Sequence, residues 1–222
     1  MTDLAAPVAT AHGPRRADAR RNRALVLAAA EELFAEHGLK VQMGDVAQRA
    51  GVGVGTVCRN FPTKDALIQA LLDDMLSSLL VEARAALAEP DAATALWAYV
   101  EAMADLQARS RGLAEEMSAH LALTAEEYPT KQALRDAITE LVSRAQQAGA
   151  VRDDMGPADM ALLFCGIAQS AVLAGDVDPV QRRRYLTIVL DGLKPADPTT
   201  LPGRPLDFDQ LERARKRRAR RS

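Results

Sequence analysis

The sequence predicts an all-α fold, in which a small N-terminal unit of three helices precedes a larger helical domain. Apolar residues recur at three- and four-residue spacing along most of the chain, which is the period of an amphipathic helix. Glycine or proline separates successive segments of this kind, and no strand-like alternation competes with them. With 222 residues, 48% of them apolar, the chain can bury a substantial core.

The first helix is predicted from Arg20 to His37. Its apolar face carries Leu25, Val26, Ala29, Leu33 and Phe34. Gly38 supplies the stop, because glycine readily takes the left-handed conformation that ends a helix. The preceding residues, 1–17, mix small residues, prolines and glycine without periodicity, which predicts a flexible arm. The first domain is therefore expected over residues 18–63.

Residues 43–64, MGDVAQRAGVGVGTVCRNFPTK, have the outline of a helix-turn-helix. The first short helix places three apolar side chains on one face: Val46, Ala47 and Ala50. Gly51 follows at the reversal, where the backbone needs a positive φ. A second helix, about Val54 to Asn60, turns Val57 inward. It leaves polar side chains on the outside, where they can meet DNA: Thr56, Arg59 and Asn60.

A long helix is expected after Thr63, which can cap it, and its wide apolar stripe extends to about Leu87. At 1.5 Å per residue it spans roughly 36 Å and can connect the small domain to the rest. Further helical segments are predicted at 91–109, 111–123, 126–148, 157–174 and 179–192. Residues 64–194 are therefore assigned to a second, larger helical domain.

Charge is distributed unevenly along the chain, whose net charge is −2. Residues 1–23 carry +3 and residues 204–222 carry +5, which leaves −10 for the sequence between them. Nucleic-acid contact must therefore come from local basic groups rather than from a uniformly positive body. Prolines followed by arginines predict that residues 195–222 form a disordered basic tail. Such a tail either adds nonspecific attraction to phosphates or is merely solvated.

The N-terminal residues resemble the DNA-binding domain of the tetracycline-repressor-like (TetR) family of bacterial regulators. The resemblance covers roughly Arg20 to Leu67 and is carried by AAAEELFAEHG, VAQRAGVGVGTV and NFPTK. It implies a three-helix DNA-binding domain, a larger helical domain that binds small molecules, and association of two subunits through the last two helices. The chain is accordingly expected to be a homodimeric repressor, released from a palindromic operator on double-stranded DNA by an unknown small-molecule effector, with activation of transcription as the alternative.

Expected DNA contacts follow from the reach of each side chain and from the resemblance. Thr56 and Val54 suit thymine methyls or the backbone, and Arg59 suits phosphate. Cys58 stands where the family commonly has a phosphate-contacting tyrosine, which puts that contact in doubt. The full predicted set is Arg20, Arg21, Arg23, Gln42, Met43, Gly53, Val54, Gly55, Thr56, Cys58, Arg59, Asn60 and Lys64.

Two further sets of residues are predicted in the second domain. Large or polar residues within apolar helices are candidates for an effector pocket, although such residues are more often core: Trp97, Met103, Met117, His120, Tyr128, Phe164 and Gln169. Apolar faces near the end of the domain suggest a dimer interface or, in the alternative, the domain's own core. The interface candidates are Met160, Leu163, Phe164, Ile167, Ala171, Tyr185, Ile188 and Val189.

Other classes of protein find less support in the sequence. No run of eighteen apolar residues and no signal-peptide core occur, so a cytoplasmic protein without a membrane span is expected. Cys58 and Cys165 fit packed, reduced thiols, and no metal or cofactor motif is present. An all-helical enzyme is supported only by Ser118, His120 and Asp105, which are weak evidence for nucleophilic catalysis. An architectural DNA-binding protein without an effector remains open.

Overall fold

A computed structural model of the chain describes residues 14–109, 129–163, 166, 179–196 and 199–219. The chain divides into two compact units, Met1–Leu67 and Ile68–Ser222. All the regular elements in the described ranges are helical, which confirms the predicted all-α class. The predicted helix at 111–123 lies outside these ranges.

In its described residues before α4, the first unit contains three α-helices and one short 3-10 turn. Helix α1 is Pro14–His37, the 3-10 turn is Gly38–Lys40, α2 is Met43–Ala50 and α3 is Val54–Asn60. Helix α1 ends where predicted, and Gly38 has the expected positive φ of 61°. It begins earlier than predicted, because residues 14–17 of the expected flexible arm already belong to it.

The core of the first unit joins α1 to the two short helices. Val26 and Ala30 of α1 are completely buried, as is Val57 of α3. The buried apolar set of this unit also includes Ala29, Leu33, Phe34, Val41, Val46, Ala47, Phe61 and Leu67. Because α2 and α3 have only eight and seven residues, they depend on this packing rather than on intrinsic helix propensity.

Helix α4 is Lys64–Leu87, in agreement with the prediction. Thr63 caps it as expected, since the backbone N–H of Ala66 donates to the Thr63 Oγ1 at 3.1 Å. The boundary between the two units falls inside this helix, after Leu67, whereas the sequence placed it before Lys64.

The second unit continues with α5 (Ala92–Arg109), α6 (Pro129–Gln147), α7 (157–163), α8 (Pro179–Gly192) and α9 (Phe208–Ala219). Helices α5, α6 and α8 lie where the sequence predicts them, within a few residues. Of the predicted segment 157–174, the structure describes 157–163 and 166, and these residues are helical. None of the described helices is both long enough and apolar enough to cross a membrane.

Arg144, near the end of α6, ties that helix to the C-terminal end of α4. Its guanidinium donates to the backbone carbonyls of Leu87 at 2.8 Å and Glu89 at 2.7 Å. The last carbonyls of a helix have no partner within the helix, so a charged donor at this position satisfies groups that burial would otherwise leave unpaired. The end of α4 is thereby fixed to α6.

The predicted disordered tail requires a correction, because α9 forms within it and packs against α6. Leu211 and Glu212 are only 9% and 8% exposed. The carboxylate of Glu212 meets Arg135 at 3.0 Å and Lys131 at 3.3 Å, and both cations are themselves buried. Composition alone predicts a solvated basic segment here, because the stabilising partners lie on a distant part of the chain.

Candidate nucleic-acid interface

The turn between α2 and α3 has the geometry that the sequence predicts. Gly51 has φ 66° and ψ 30°, a left-handed conformation that side chains with a Cβ rarely adopt. The backbone N–H of Val52 donates to the Ala47 carbonyl at 3.1 Å and so closes the end of α2. At the other end of α2, the Gln42 N–H donates to the Asp45 carboxylate at 2.9 Å. Both ends of this short helix are therefore fixed by local hydrogen bonds.

Helix α3 turns its apolar side to the core and its polar side outward, as predicted. Val57 and Phe61 are buried, whereas Arg59 is exposed and Thr56 is partly exposed. Val54, at the start of the helix, is 51% exposed despite being apolar. The glycines at 53 and 55 are also exposed, so the first turn of α3 presents a nearly bare backbone to the outside.

Hydrogen bonds within α3 orient its outer side chains. The guanidinium of Arg59 donates to the Thr56 Oγ1 at 3.2 Å. The side-chain amide of Asn60 donates to the Thr56 carbonyl at 2.8 Å. A guanidinium has five N–H donors, so Arg59 retains donors for an external acceptor while its position is held. Helix α3 itself contains no acidic residue, and its outer face is therefore suited to a polyanion.

The first unit also holds the predicted basic side chains of α1 and α4. Arg20, Arg21 and Arg23 are all exposed, and the Arg23 guanidinium lies over the Phe61 ring, 4.7 Å from its centre. Such cation–π contacts favour one arrangement of a long side chain. The ammonium of Lys64 lies 6.0 Å from the centre of the Phe34 ring. Two of the predicted phosphate anchors are thus positioned by aromatic rings of the unit's core.

Not every cation of this unit is available to an external anion. Arg49 forms ion pairs with Glu32 at 3.1 Å and Glu36 at 3.0 Å. A hydrogen bond from Arg49 lowers the pKa of Glu36 below its usual value, so the pair stays ionised at neutral pH. Arg49 also borders an open groove of 730 Å³ that none of the predicted DNA-contacting residues lines. The groove is formed by Leu33, His37, Lys40, Val41, Asp45, Gln48 and Arg49.

Cys58 differs from the expectation of a packed thiol, because its side chain is exposed on the outer side of α3. It therefore stays among the predicted contact positions, with Gln42 exposed and Met43 partly exposed at the start of α2. Within the described ranges, no group of three or more metal-ligating side chains comes together.

The structure places only part of the predicted effector pocket. Met103 is 6% exposed and Trp97 is partly exposed, both on α5. The other predicted pocket residues lie outside the described residues: Met117, His120, Tyr128, Phe164 and Gln169.

The predicted dimer interface is exposed at several positions and contains one error. Leu163, Tyr185 and Ile188 are 42%, 48% and 58% exposed, and Val189 is partly exposed. Met160, in contrast, is completely buried within its own unit and has no surface to offer a partner. Helical periodicity identified an apolar side of α7 but not what covers it. The remaining predicted interface residues lie outside the described residues: Phe164, Ile167 and Ala171.

Replacing Lys64 by alanine is expected to weaken DNA binding to a similar extent for all sequences. If Lys64 contacts phosphate rather than a base edge, as predicted, the slope of log affinity against log salt should fall by about 1. Fluorescence anisotropy at several salt concentrations measures this slope. Arg49→Ala is the matched control, because Arg49 is already paired with glutamates. An unchanged slope for Lys64→Ala contradicts the phosphate role.

A short, exposed, acid-free second helix after a glycine turn, flanked by positioned basic side chains, defines a helix-turn-helix DNA-binding protein. Comparisons with known proteins agree. Residues 26–71 match the model of the bacterial regulatory proteins of the tetR family. Residues 91–195 match the model for the C-terminal domain of SbtR-like transcriptional regulators.

Solved structures extend the similarity over most of the chain. A TetR transcription regulatory protein from Mycobacterium vanbaalenii is 35% identical, over 82% of this chain and 99% of that one, with a TM-score of 0.59. The TetR transcriptional regulator SCO0520 from Streptomyces coelicolor is 34% identical, over 78% of this chain and 99% of that one, with a TM-score of 0.58. The chain therefore belongs to the TetR family.

A curated relative supports the same assignment over a shorter range. The HTH-type transcriptional regulator SAR0097 of Staphylococcus aureus is 37% identical over 78 residues, which is 34% of this chain. The match covers 40% of that relative. The TetR-like regulator LfrR from Mycobacterium smegmatis, solved in complex with proflavine, shares the fold at 22% identity and a TM-score of 0.60. The structural match covers 82% of this chain and 98% of LfrR.

Proposed function

We propose that the protein is a homodimeric transcriptional repressor that binds a near-palindromic operator and releases it when a small-molecule effector binds the helical domain. The observation that carries the proposal is the outer face of α3, which is exposed, lacks acidic residues and holds Arg59 in position through Thr56. Membership in the TetR family supports the same conclusion for the chain as a whole.

In this proposal α3 enters the major groove, with its N-terminal end toward the base edges. Val54 and Thr56 are short enough to meet thymine methyls, and the exposed glycines at 53 and 55 allow close approach of the backbone. Arg59 and Asn60 reach the sugar-phosphate backbone from the later turn of the helix. Gln42 and Met43 approach the DNA from the start of α2.

The basic side chains of α1 and α4 are proposed to contact the sugar-phosphate backbone of the DNA. Arg20, Arg21 and Arg23 lie in the N-terminal half of α1, and Lys64 begins α4. Contacts of this kind fix the register of the protein on the duplex without carrying sequence information. Because Arg23 already stacks on Phe61, less side-chain freedom is lost when it meets phosphate.

A second copy of the chain is proposed to cover the exposed apolar side of α8. Tyr185 and Ile188 are each about half exposed there, and Val180 is 70% exposed. Apolar side chains at this density on one helix favour association. A two-fold dimer presents its two α3 helices to half-sites about 34 Å apart, or a multiple of that distance.

The effector is proposed to bind within the second unit, where Trp97 and Met103 are the described candidates for contact. That LfrR was solved with proflavine supports a small-molecule site in a protein of this fold. An effector that prefers a non-DNA-binding arrangement releases the operator by shifting the equilibrium, with a coupling of typically ~1–3 kcal/mol. Helix α4, continuous from Lys64 to Leu87, is the proposed connector.

Two other functions are weighed against this proposal. Regulators of this family are generally not enzymes, and we infer that this chain is not one, nor does it need a cofactor. An architectural DNA-binding protein uses the same helix-turn-helix without an effector. It is distinguished by binding DNA irrespective of sequence.

Selection of bound fragments from the genome of the source organism tests the proposal. We expect enrichment of a site with two-fold symmetry, and loss of that enrichment for Thr56→Ala combined with Arg59→Ala. Genes beside the site indicate which small molecules to add, and at least one is expected to release the operator fragment. Binding without sequence preference contradicts the repressor and favours the architectural function.

A further inference from the structure

The tail helix α9 is docked through Glu212, whose carboxylate faces inward. Glu212 lies between Lys131 and Arg135 of α6, and its side chain is 10% exposed. Asp209 adds a longer contact to Arg135 at 3.9 Å, and the Arg135 guanidinium lies 5.4 Å from the centre of the Phe208 ring. A carboxylate shared by two buried cations is a strong constraint on orientation, because removing it leaves buried charge unpaired.

The connection that leads to α9 is also held in place. Arg152 donates to the Asp154 carboxylate at 2.8 Å, and that carboxylate accepts the backbone N–H of Leu201 at 3.1 Å. These bonds keep the pKa of Asp154 well below its usual range, so the contact persists at neutral pH. A Cβ on Gly156 would lie 2.9 Å from the Cβ of Pro205, which means that the connection packs closely against residue 156.

The docked helix presents two arginines, Arg213 and Arg217, outward. Arg213 and Arg217 are exposed, stand four residues apart on one face, and form no ion pair with the described part of the chain. The chain outside the two basic ends carries a charge of −10. A basic tail that merely neutralised this body would dock through its arginines. The observed docking instead uses cations of α6 to hold the tail's carboxylate.

We propose that α9 is a second DNA-contacting surface, on which Arg213 and Arg217 bind backbone phosphates of the duplex while Glu212 holds the helix to α6. Two arginines on a docked helix lose less backbone freedom on binding than the same residues in a disordered tail. The surface supplies phosphate contacts without base readout, so it raises affinity for all sequences and depends strongly on salt. The inference rests on the proposed DNA-binding function, to which it adds a separate site.

Anisotropy with a labelled 30-bp duplex of scrambled sequence tests the inference on the full chain. Each phosphate contact contributes about 0.9 to the salt slope, so Arg213→Gln with Arg217→Gln is expected to lower it by about 2 per bound chain. Arg217→Gln alone should lower it by about 1. The matched control is Arg84→Gln, which removes one exposed charge from α4 and should leave the slope unchanged. An unchanged slope in the double variant overturns the proposal.

Two further measurements separate the possible causes. Glu212→Gln keeps every arginine but weakens docking, and we expect its affinity at low salt to fall several-fold. Affinity equal to that of the unmodified chain overturns the role assigned to docking. Vesicles containing phosphatidylglycerol test the other polyanion: if the double variant loses vesicle binding but keeps its DNA slope, the surface serves a membrane and the proposal is wrong.

Failure of this inference is distinguishable from failure of the proposed function. If Lys64→Ala lowers the salt slope while the Arg213 and Arg217 variants do not, the helix-turn-helix binds DNA and α9 has no part in it. If the unmodified chain does not bind duplex DNA at low salt, both proposals fail.

Discussion

Phe61→Ala is expected to destabilise the first unit by about 3–5 kcal/mol and to abolish DNA binding with it. The ring is 2% exposed directly after α3, and its removal leaves a cavity between the short helices and α1. Because folded domains are stable by only about 5–15 kcal/mol, a loss of this size leaves a substantial fraction of a unit this small unfolded. Hydrogen exchange of residues 14–67 measures the effect separately from the second unit.

Phe61→Leu provides the matched control for this variant. Leucine fills most of the volume, so we expect a loss of less than about 1.5 kcal/mol. It removes the aromatic face on which Arg23 lies, and should therefore weaken DNA binding only slightly, through that one side chain. Equal protection from exchange in Phe61→Ala and the unmodified chain contradicts the central packing role of the ring.

Ile188→Asp is expected to convert the protein from a dimer to a monomer. The side chain is 58% exposed on α8, and a carboxylate in a buried apolar interface opposes its counterpart in the second copy. A dimer with two linked α3 helices binds DNA about 10²–10⁴ more tightly than a single α3 helix does. We therefore expect a loss of that order on a duplex with both half-sites, and little change on a duplex with one.

Sedimentation of the variant gives the oligomeric state directly. Val81→Asp is the control, because Val81 is similarly apolar and 64% exposed but lies on α4, outside the proposed interface. That variant should remain dimeric. A dimeric Ile188→Asp protein with unaltered operator affinity requires the second copy to bind elsewhere.

The helix-turn-helix was predictable because its determinants are local. The turn at Gly51, the burial of Val57 and the cap at Thr63 each depend on residues within a few positions along the chain. The bounds of α3 and α4 are those that the sequence predicts. The DNA contacts themselves stay predictions, since exposure alone does not identify a bound partner.

Features that depend on distant residues were not predictable from pattern. The partners of Glu212 lie 77 and 81 residues away, so composition gave a disordered tail where a docked helix forms. Met160 belongs to an apolar helical face, but periodicity does not say whether the same subunit or a second one covers it. Cys58 resembles a small core residue in sequence, yet it lies on the outer side of α3.

Arg144 gives α4 a fixed point at the end farthest from its N-terminal lysine. A single guanidinium serves the carbonyls of Leu87 and Glu89, and a lysine ammonium at this position lacks the planar fork to do so. The C-terminal end of the 24-residue helix α4 is thus attached to α6 through Arg144. A shift of α6 is therefore expected to carry the C-terminal end of α4 with it, because these hydrogen bonds oppose fraying of that end.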